Sequence, residues 1–580
     1  MPHHLREKRQ QRLADEIGCQ PKPWGGRLSV ALVYPNTYYH AMSNLGFQAV
    51  YQLIQQRDDC LCERFFLPDA EDLERHHKIN TPVVSLETGR TIDSFGVIAF
   101  SLSFENDYIN LPILFDLFRL PLWRQQRNQG HPLVIAGGIC ALLNPEPIAE
   151  VVDLFVVGEA EVLLNPLFDQ VLLGHERSEC LARLAQQAGY YVPSLYHIDY
   201  SEDGTLASIT AKDQSCLPVQ RQWVKDLNTT QCQSLIKTPH TAFGTMDLIE
   251  VSRGCSRGCR FCATGFAYLP PREKTAQCVM EQLTPCLSAS STAGLVGAAV
   301  SDYSSLDEVT DQVIASGAEV SVASLRIDTM TREQVRILKK SGQKTLALAP
   351  EAGSQRLRDL VNKHLTEEQI VGAVKILADE GILNLKLYFL IGLPTETSAD
   401  NEELIALVSK IRSIWVEAQR PLGRLGTITL SVNPFIPKPM TPFQWAGMAT
   451  IPDLKRTIQF LRKQINRMPN MKIQVESVRS AQLQAVLARG DRRIATILPR
   501  LAQGENLNSA CRSEGIDPSF YAQRQRTQFE VLPWDVISAG VDKEYLWREY
   551  QAGLHETLSR PCQKGCDRCG VCRDVDSLTK

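Results

Sequence analysis

No run of about 18 consecutive apolar residues occurs anywhere in this chain of 580 residues, which argues against a membrane-spanning helix. The first twelve residues, Met1 to Arg12, are charged and contain no apolar stretch, so they do not read as a secretory signal. Charge of one sign is nearly absent as an excess. The formal net charge is −3, so no whole-protein field draws in nucleic acid, although a local basic patch is left open. No long low-complexity segment and no short-period repeat interrupts the chain. Length and a 44% hydrophobic composition suit three or four packed domains. Cysteine is plentiful, at 17 residues, but it is not arranged as a small secreted disulfide framework. Clustered cysteines in an intracellular protein more often bind metal, and a reducing, cytoplasmic setting is the expectation.

The most informative cluster is Cys255, Cys259 and Cys262, a C-x3-C-x2-C run directly after a strand-like segment, with Phe261 before the third cysteine. Zinc is the plainer reading, but zinc wants four closing ligands. No fourth Cys or His follows at finger spacing, and the next cysteine is Cys278. Three thiolates suit a [4Fe–4S] cube whose fourth iron has no protein ligand and is open to a substrate or cofactor. The motif resembles the signature of radical S-adenosylmethionine (radical SAM) enzymes. That resemblance implies a fourth iron that chelates the amino and carboxylate groups of SAM.

Apolar strands alternate with helical stretches in two blocks. In the first, Leu28–Pro35, Phe95–Ser103, Pro132–Gly138 and Val151–Gly158 read as buried parallel strands, whose carboxyl ends are where such sheets bind ligands. Gly137 and Gly138 lie at one such end. In the second, six candidate strands begin at Asp247, Ala293, Glu319, Lys344, Asn384 and Thr427, with helical periodicity between them. This pattern suits an incomplete (β/α)6 barrel with its site at the strand carboxyl ends. The fold class is therefore α/β: a flavodoxin- or Rossmann-like sheet, then a partial barrel, then a mainly helical region. The segments are read as an extension at 1–26, a sheet domain at 27–170 and a connector with a small β extension at 171–244. The barrel core follows at 245–450 and the helical region at 451–580.

The first block resembles the cobalamin-binding domain that precedes the core in one large subclass of the family. The likeness rests on Ala136–Gly138, Asn144–Ala149 and Val157–Glu159. Its D-x-H-x-x-G signature is missing, and Asn36–Gly46 stands in that place, so a corrinoid would sit without a histidine lower ligand. An inherited domain that holds no corrinoid is the alternative. Within the barrel, the resemblance implies Phe261 beside the adenine and Ser301 and Asp302 in the loop facing the SAM amino group. Ser324 and Arg326 would meet ribose or carboxylate, Glu351 ends the fourth strand, and Gly392 opens an adenine-side loop. Each has a plain structural alternative, such as pairing of Arg326 with Asp328 or Glu351. The cations near the cysteine loop (Arg253, Arg257, Arg260, Arg272 and Lys274) read mainly as solvated or paired surface charge.

Near the C-terminus, Cys562, Cys566, Cys569 and Cys572 form a compact four-thiolate set. Thiolates this close repel one another without a cation, so either zinc or a closed [4Fe–4S] cluster is expected. The Pro-rich segment Phe435–Trp445 resembles one that follows the core in methylthiotransferase-like and cobalamin-type members. It also reads as a rigid loop that closes the barrel. The resemblance implies reductive SAM cleavage to a 5′-deoxyadenosyl radical, fed by flavodoxin or ferredoxin. With cobalamin, methyl transfer follows. The alternatives are methylthiolation of RNA or protein and a non-catalytic Fe–S/SAM-binding module. The substrate is not legible, and nucleic acid is not excluded.

Overall fold

The computed structural model describes residues 2–288, 291–322, 326–340, 342–423, 425–563 and 565–572. They form two compact units. The first holds residues 1–248 together with 486–518 and 529–540, and the second holds 249–485, 519–528 and the chain from 541 onward.

In the first unit, β1 (Leu28–Tyr34), β2 (Cys60–Phe66), β3 (Val97–Ser101), β4 (Leu133–Gly137), β5 (Leu154–Val156) and β6 (Tyr190–Tyr191) make one sheet. Its order is β2-β1-β3-β4-β5-β6, with β1 to β5 parallel and β6 antiparallel to β5. The order 2-1-3-4-5 is flavodoxin-like and puts its topological switch between β1 and β3. β1, β3, β4 and β5 are the four apolar runs read from the sequence. β2 was not among them, because Cys60-Leu-Cys-Glu-Arg-Phe-Phe66 carries two charges at its centre. Both are buried: Arg64 binds Glu16 at 2.7 Å and Glu87 at 2.6 Å, and Glu63 accepts from the Trp24 indole at 2.7 Å.

Residues 451–580, read as one helical region, are divided between the two units. Two polar anchors capture the part that joins the sheet. The Asn144 side-chain amide donates to the carbonyls of Ala488 (3.0 Å) and Gly490 (2.8 Å), and fully buried Glu146 pairs with Arg492 at 2.9 Å. The segment Asn144–Ala149, one carrier of the cobalamin-domain likeness, therefore serves here to fasten a distant piece of chain.

In the second unit, β7 (Asp247–Glu250, at the boundary), β8 (Thr292–Val296) and β9 (Glu319–Val322) form one sheet. β10 (Thr345–Glu351), β11 (Asn384–Ile391), β12 (Ile428–Pro434) and β13 (Met471–Val475) form another. The registered pairs are parallel, and each strand neighbours the next in sequence. A helix separates each consecutive pair: Ala276–Leu283, Leu306–Ala315, Arg332–Lys340, Glu367–Asp379, Ser398–Gln419 and Ile451–Ile465. The six predicted strands are present, and β13 adds a seventh. β11 alternates strictly: Leu385, Leu387, Phe389 and Ile391 are buried while Asn384, Lys386, Tyr388 and Leu390 are half-buried. One face thus packs into the core while the other stays accessible, as a barrel wall around a site requires.

Candidate active site

The cysteine loop leaves β7 through Ser252–Arg253, which pairs antiparallel with Arg272–Glu273. Gly254 makes the turn. Its φ of +86° and the Tyr268 carbonyl, 2.6 Å from where a Cβ would stand, leave room for glycine alone. The loop is pinned from β10's side of the barrel: Arg260 N–H donates to the Val361 carbonyl at 3.1 Å, and the Asn362 amide donates to the Gly258 carbonyl at 3.1 Å. Two of the three thiols, Cys255 and Cys259, sense their neighbours. Burial pushes the Cys259 thiol up to about 12, with further upward push from Cys262 and Cys255, while the Lys363 ammonium pulls it down. Burial likewise raises Cys255, and Cys262 adds to the rise. A cation that replaced the thiol protons would relieve both effects. Three thiolates on one short loop, with a lysine ammonium beside them, fit a [4Fe–4S] cluster with one open iron.

Four charged residues close around this loop. Arg257, from the loop itself, grips Asp302 with both ends of its guanidinium at 2.9 and 2.6 Å and reaches Asp328 at 3.6 Å. Arg326 bridges the same two carboxylates, at 3.1 Å to Asp302 and 2.6 Å to Asp328. The predicted Arg326–Asp328 pair is present, and Asp302 shares it. Ser301 stands beside Asp302 in a short 3-10 turn, Val300–Asp302, and is half-buried. Ser324 lies outside the described residues. Phe261 is half-buried within the cysteine loop.

Glu351 ends β10 at a register shift with φ +67°, a left-handed conformation that a non-glycine residue holds only when its surroundings enforce it. Its carboxylate binds Lys363 at 2.9 Å, and the Lys363 charge in turn lowers the Cys259 thiol. Burial opposes the Lys363 charge, but Glu351 and Cys259 outweigh it and raise its proton affinity. Lys363 escaped the sequence reading because it lies on the chain after β10, twelve residues beyond Glu351. Gly392 turns with φ +76°, and its N–H and that of Leu393 both donate to the Glu396 carboxyl, at 2.8 and 3.1 Å. Burial raises Glu396 to about 7 despite those two donors.

Of the five cations expected to be solvated or paired surface charge, Arg253 and Arg257 are paired, whereas Arg260, Arg272 and Lys274 are buried. Arg260 is fully buried; it pairs with Glu549 at 3.2 Å and donates to the carbonyls of Asp359, Leu360 and Thr557. Lys274 and Arg272 are buried too, with Lys274 donating to Gln282 at 2.9 Å, while Arg253 pairs with Glu250 at 2.6 Å. An arginine inside the cysteine run reads as solvated in sequence because its partners lie about 100 and 300 positions away. The Pro-rich segment also packs inward: Trp445 meets Trp547 edge-on at 5.1 Å, and Phe443 meets Tyr550. It closes the unit against the helix Lys543–Leu554.

In the first unit, Gly138 has φ +103°, and the Leu102 carbonyl lies 2.4 Å from where its Cβ would be. Leu102 N–H donates to the Gly137 carbonyl at 2.9 Å, so the glycine pair brings the ends of β3 and β4 together. At the β1/β3 switch, Asn36 donates to Asp107 at 2.8 Å and Asn44 donates to Ser103 at 3.0 Å. Burial raises Asp107 to about 6. The one histidine in the Asn36–Gly46 loop, His40, is exposed and contacts Thr37 at 3.0 Å. These residues form a polar, mutually hydrogen-bonded group at the switch, and the one histidine beside them is exposed rather than buried.

Residues 46–193 match the family described as "Radical SAM proteins, N-terminal", and residues 249–408 match "Radical SAM superfamily". An uncharacterised protein of Methanocaldococcus jannaschii is 30% identical over 492 residues, 84% of this chain and 94% of that protein. A Pyrococcus horikoshii protein described as an uncharacterised methyltransferase is 21% identical over 348 residues, 58% of this chain and 70% of that one. Among solved structures, the cobalamin-dependent S-adenosylmethionine radical enzyme OxsB aligns over 95% of this chain and 80% of its own. The identity is 12% and the TM-score 0.46.

Proposed function

The chain belongs to the radical SAM superfamily and is an enzyme of that class, and on that premise we propose that Cys255, Cys259 and Cys262 hold its [4Fe–4S] cluster and that the Asp302–Arg326 pair orients SAM. When bound, the cluster supplies one electron that splits the C5′–S bond of SAM, giving methionine and a 5′-deoxyadenosyl radical that removes hydrogen from a substrate C–H bond. The chain's own residues do the rest. The three thiols give up their protons to solvent as the metal enters. Lys363 offsets negative charge beside Cys259, and Glu351 keeps that ammonium in place. Arg326 is the donor for the SAM carboxylate and Asp302 the acceptor for its ammonium; each exchanges part of its present pairing for the ligand.

The observation that carries this reading is Arg257. It sits between two of the cysteines and binds Asp302 through both guanidinium ends, tying the second strand's loop directly to the metal loop. A one-electron donor of low potential is required. The test uses full-length protein reconstituted anaerobically with iron and sulfide, then given dithionite and SAM. 5′-Deoxyadenosine should form in the parent and in none of the Cys255→Ala, Cys259→Ala and Cys262→Ala variants. Asp302→Asn and Arg326→Lys should weaken SAM binding by roughly 10- to 100-fold, the scale of one charge-assisted hydrogen bond, with the cluster intact. Protein that holds about four irons in that loop yet releases no 5′-deoxyadenosine overturns the reading.

A second reading, methyl transfer through a corrinoid at the β1/β3 switch, is favoured by the 2-1-3-4-5 sheet order. The word methyltransferase in the Pyrococcus relative's description points the same way. The corrinoid would sit there without a histidine ligand. Full-length protein titrated with hydroxocobalamin should retain it through gel filtration with a shifted absorption spectrum; a colourless protein fraction rejects this reading.

A further inference from the structure

After the helix Lys543–Leu554, the chain does not trail away but lies across the cysteine loop as a strap: Arg260 holds the Thr557 carbonyl at 2.7 Å, and two further points fasten it. Ser559 is the first: its N–H donates to Asn362 Oδ1 at 2.9 Å, its hydroxyl accepts from Arg260 at 3.0 Å, and its carbonyl lies 2.8 Å from His364 Nε2. The same Asn362 side chain donates to Gly258 in the loop, so one residue holds both segments. The second point is Cys562, whose N–H donates to the Ser256 carbonyl at 2.6 Å. Cys255 of the loop and Cys562, Cys566 and Cys569 of the strap line one narrow cleft. Cys569 packs with Leu269 and Val571 in a small buried apolar cluster, with Cys562 and Tyr545 at its margin. Asp542 N–H donates to the Cys569 carbonyl, and the Asp542 carboxylate lies 2.5 Å from where a Cβ on Gly570 would be.

From this seating we infer that Cys562, Cys566, Cys569 and Cys572 bind a second iron–sulfur cluster, closed by four thiolates and built onto the loop that holds the first. Two features favour iron–sulfur over zinc. Cys566, Cys569 and Cys572 have the C-x2-C-x2-C spacing of ferredoxin runs, and all four ligands lie within one short segment rather than on two separated knuckles. The apolar cluster of Leu269, Cys569 and Val571 shields one side, as a sulfide-bearing cube needs. Among the described residues no three metal-capable side chains already converge as ligands, at this set or at Cys255, Cys259 and Cys262. At both places the ligands close on the incoming iron and sulfide while four or three thiol protons leave to solvent. This inference does not depend on SAM cleavage.

The test is metal and sulfide analysis of the full chain after anaerobic reconstitution. The parent should carry about eight irons, and the Cys255→Ala/Cys259→Ala/Cys262→Ala variant about four, all in the strap. A Cys566→Ser/Cys569→Ser/Cys572→Ser variant should carry about four in the loop, and the reduced parent should show two interacting paramagnetic centres that each variant reduces to one. Circular dichroism checks that the variants fold, and the parent's iron count and paramagnetic spectrum stand even if one does not. About one zinc per chain in the first variant in place of iron, or no metal in its strap, overturns the inference. Loss of 5′-deoxyadenosine formation with the strap's iron intact would count against the proposed function alone.

Discussion

Glu396 shows how a single residue couples the site to pH. Its carboxyl accepts two backbone N–H groups, which favour the anion, yet burial wins and its folded value is about 7. A carboxyl raised above its unfolded value of 4.5 binds its proton more tightly when folded. Its contribution is therefore whole below about 4.5 and fades as pH rises through about 7. Urea midpoints of the parent should fall across that window. Glu396→Gln, which keeps the acceptor but cannot ionise, should remove that part of the slope; an unchanged slope refutes the assignment. Legibility at this scale followed covalent chemistry. The cysteines and the strand-end Asp302, Arg326 and Glu351 were visible by type and place. The burial of Arg260 and the part played by Lys363 were not, because each depends on partners that only folding brings near.

Among the elements, β2 and the 486–518 segment departed most from the sequence reading. β2 hides its identity behind Glu63 and Arg64, since a buried ion group looks like surface when its partners, Glu16 and Glu87, lie on other elements. The 486–518 segment carries no mark of the sheet it joins. Asn144 and Glu146 supply that link, and Tyr191 adds a hydrogen bond from its hydroxyl to Glu146. Asn144→Ala strands two backbone carbonyls, a loss of about 2–6 kcal/mol at 1–3 kcal/mol for each buried acceptor left unpaired. Chemical denaturation should show that drop, and hydrogen exchange should show protection lost first around residues 488–494. Equal protection in the variant would mean that these two bonds do not hold the segment.

Across the whole molecule, both units are assembled from discontinuous chain, so neither sequence half is a folding unit by itself. A fragment of residues 1–248 lacks Arg492 and the carbonyls of residues 488 and 490, and Glu146 would be buried without its cation. It should show no cooperative thermal transition, whereas a version with residues 486–540 rejoined by a linker should regain one. Among the described residues no helix is long and apolar enough to cross a membrane. The sequence by itself determined the family, the α/β class, the strand succession apart from β2 and β13, and the two cysteine sets, because apolar periodicity and ligand spacing are local properties of the chain. Tertiary structure alone decided that Arg257 and Asp302 join Arg326 and Asp328 in one charge group, that the Lys363 ammonium acts on Cys259, and that the cysteine-rich strap lies on the cysteine loop. Those relations join residues tens to hundreds of positions apart, and no local pattern encodes the burial and hydrogen bonding that select them.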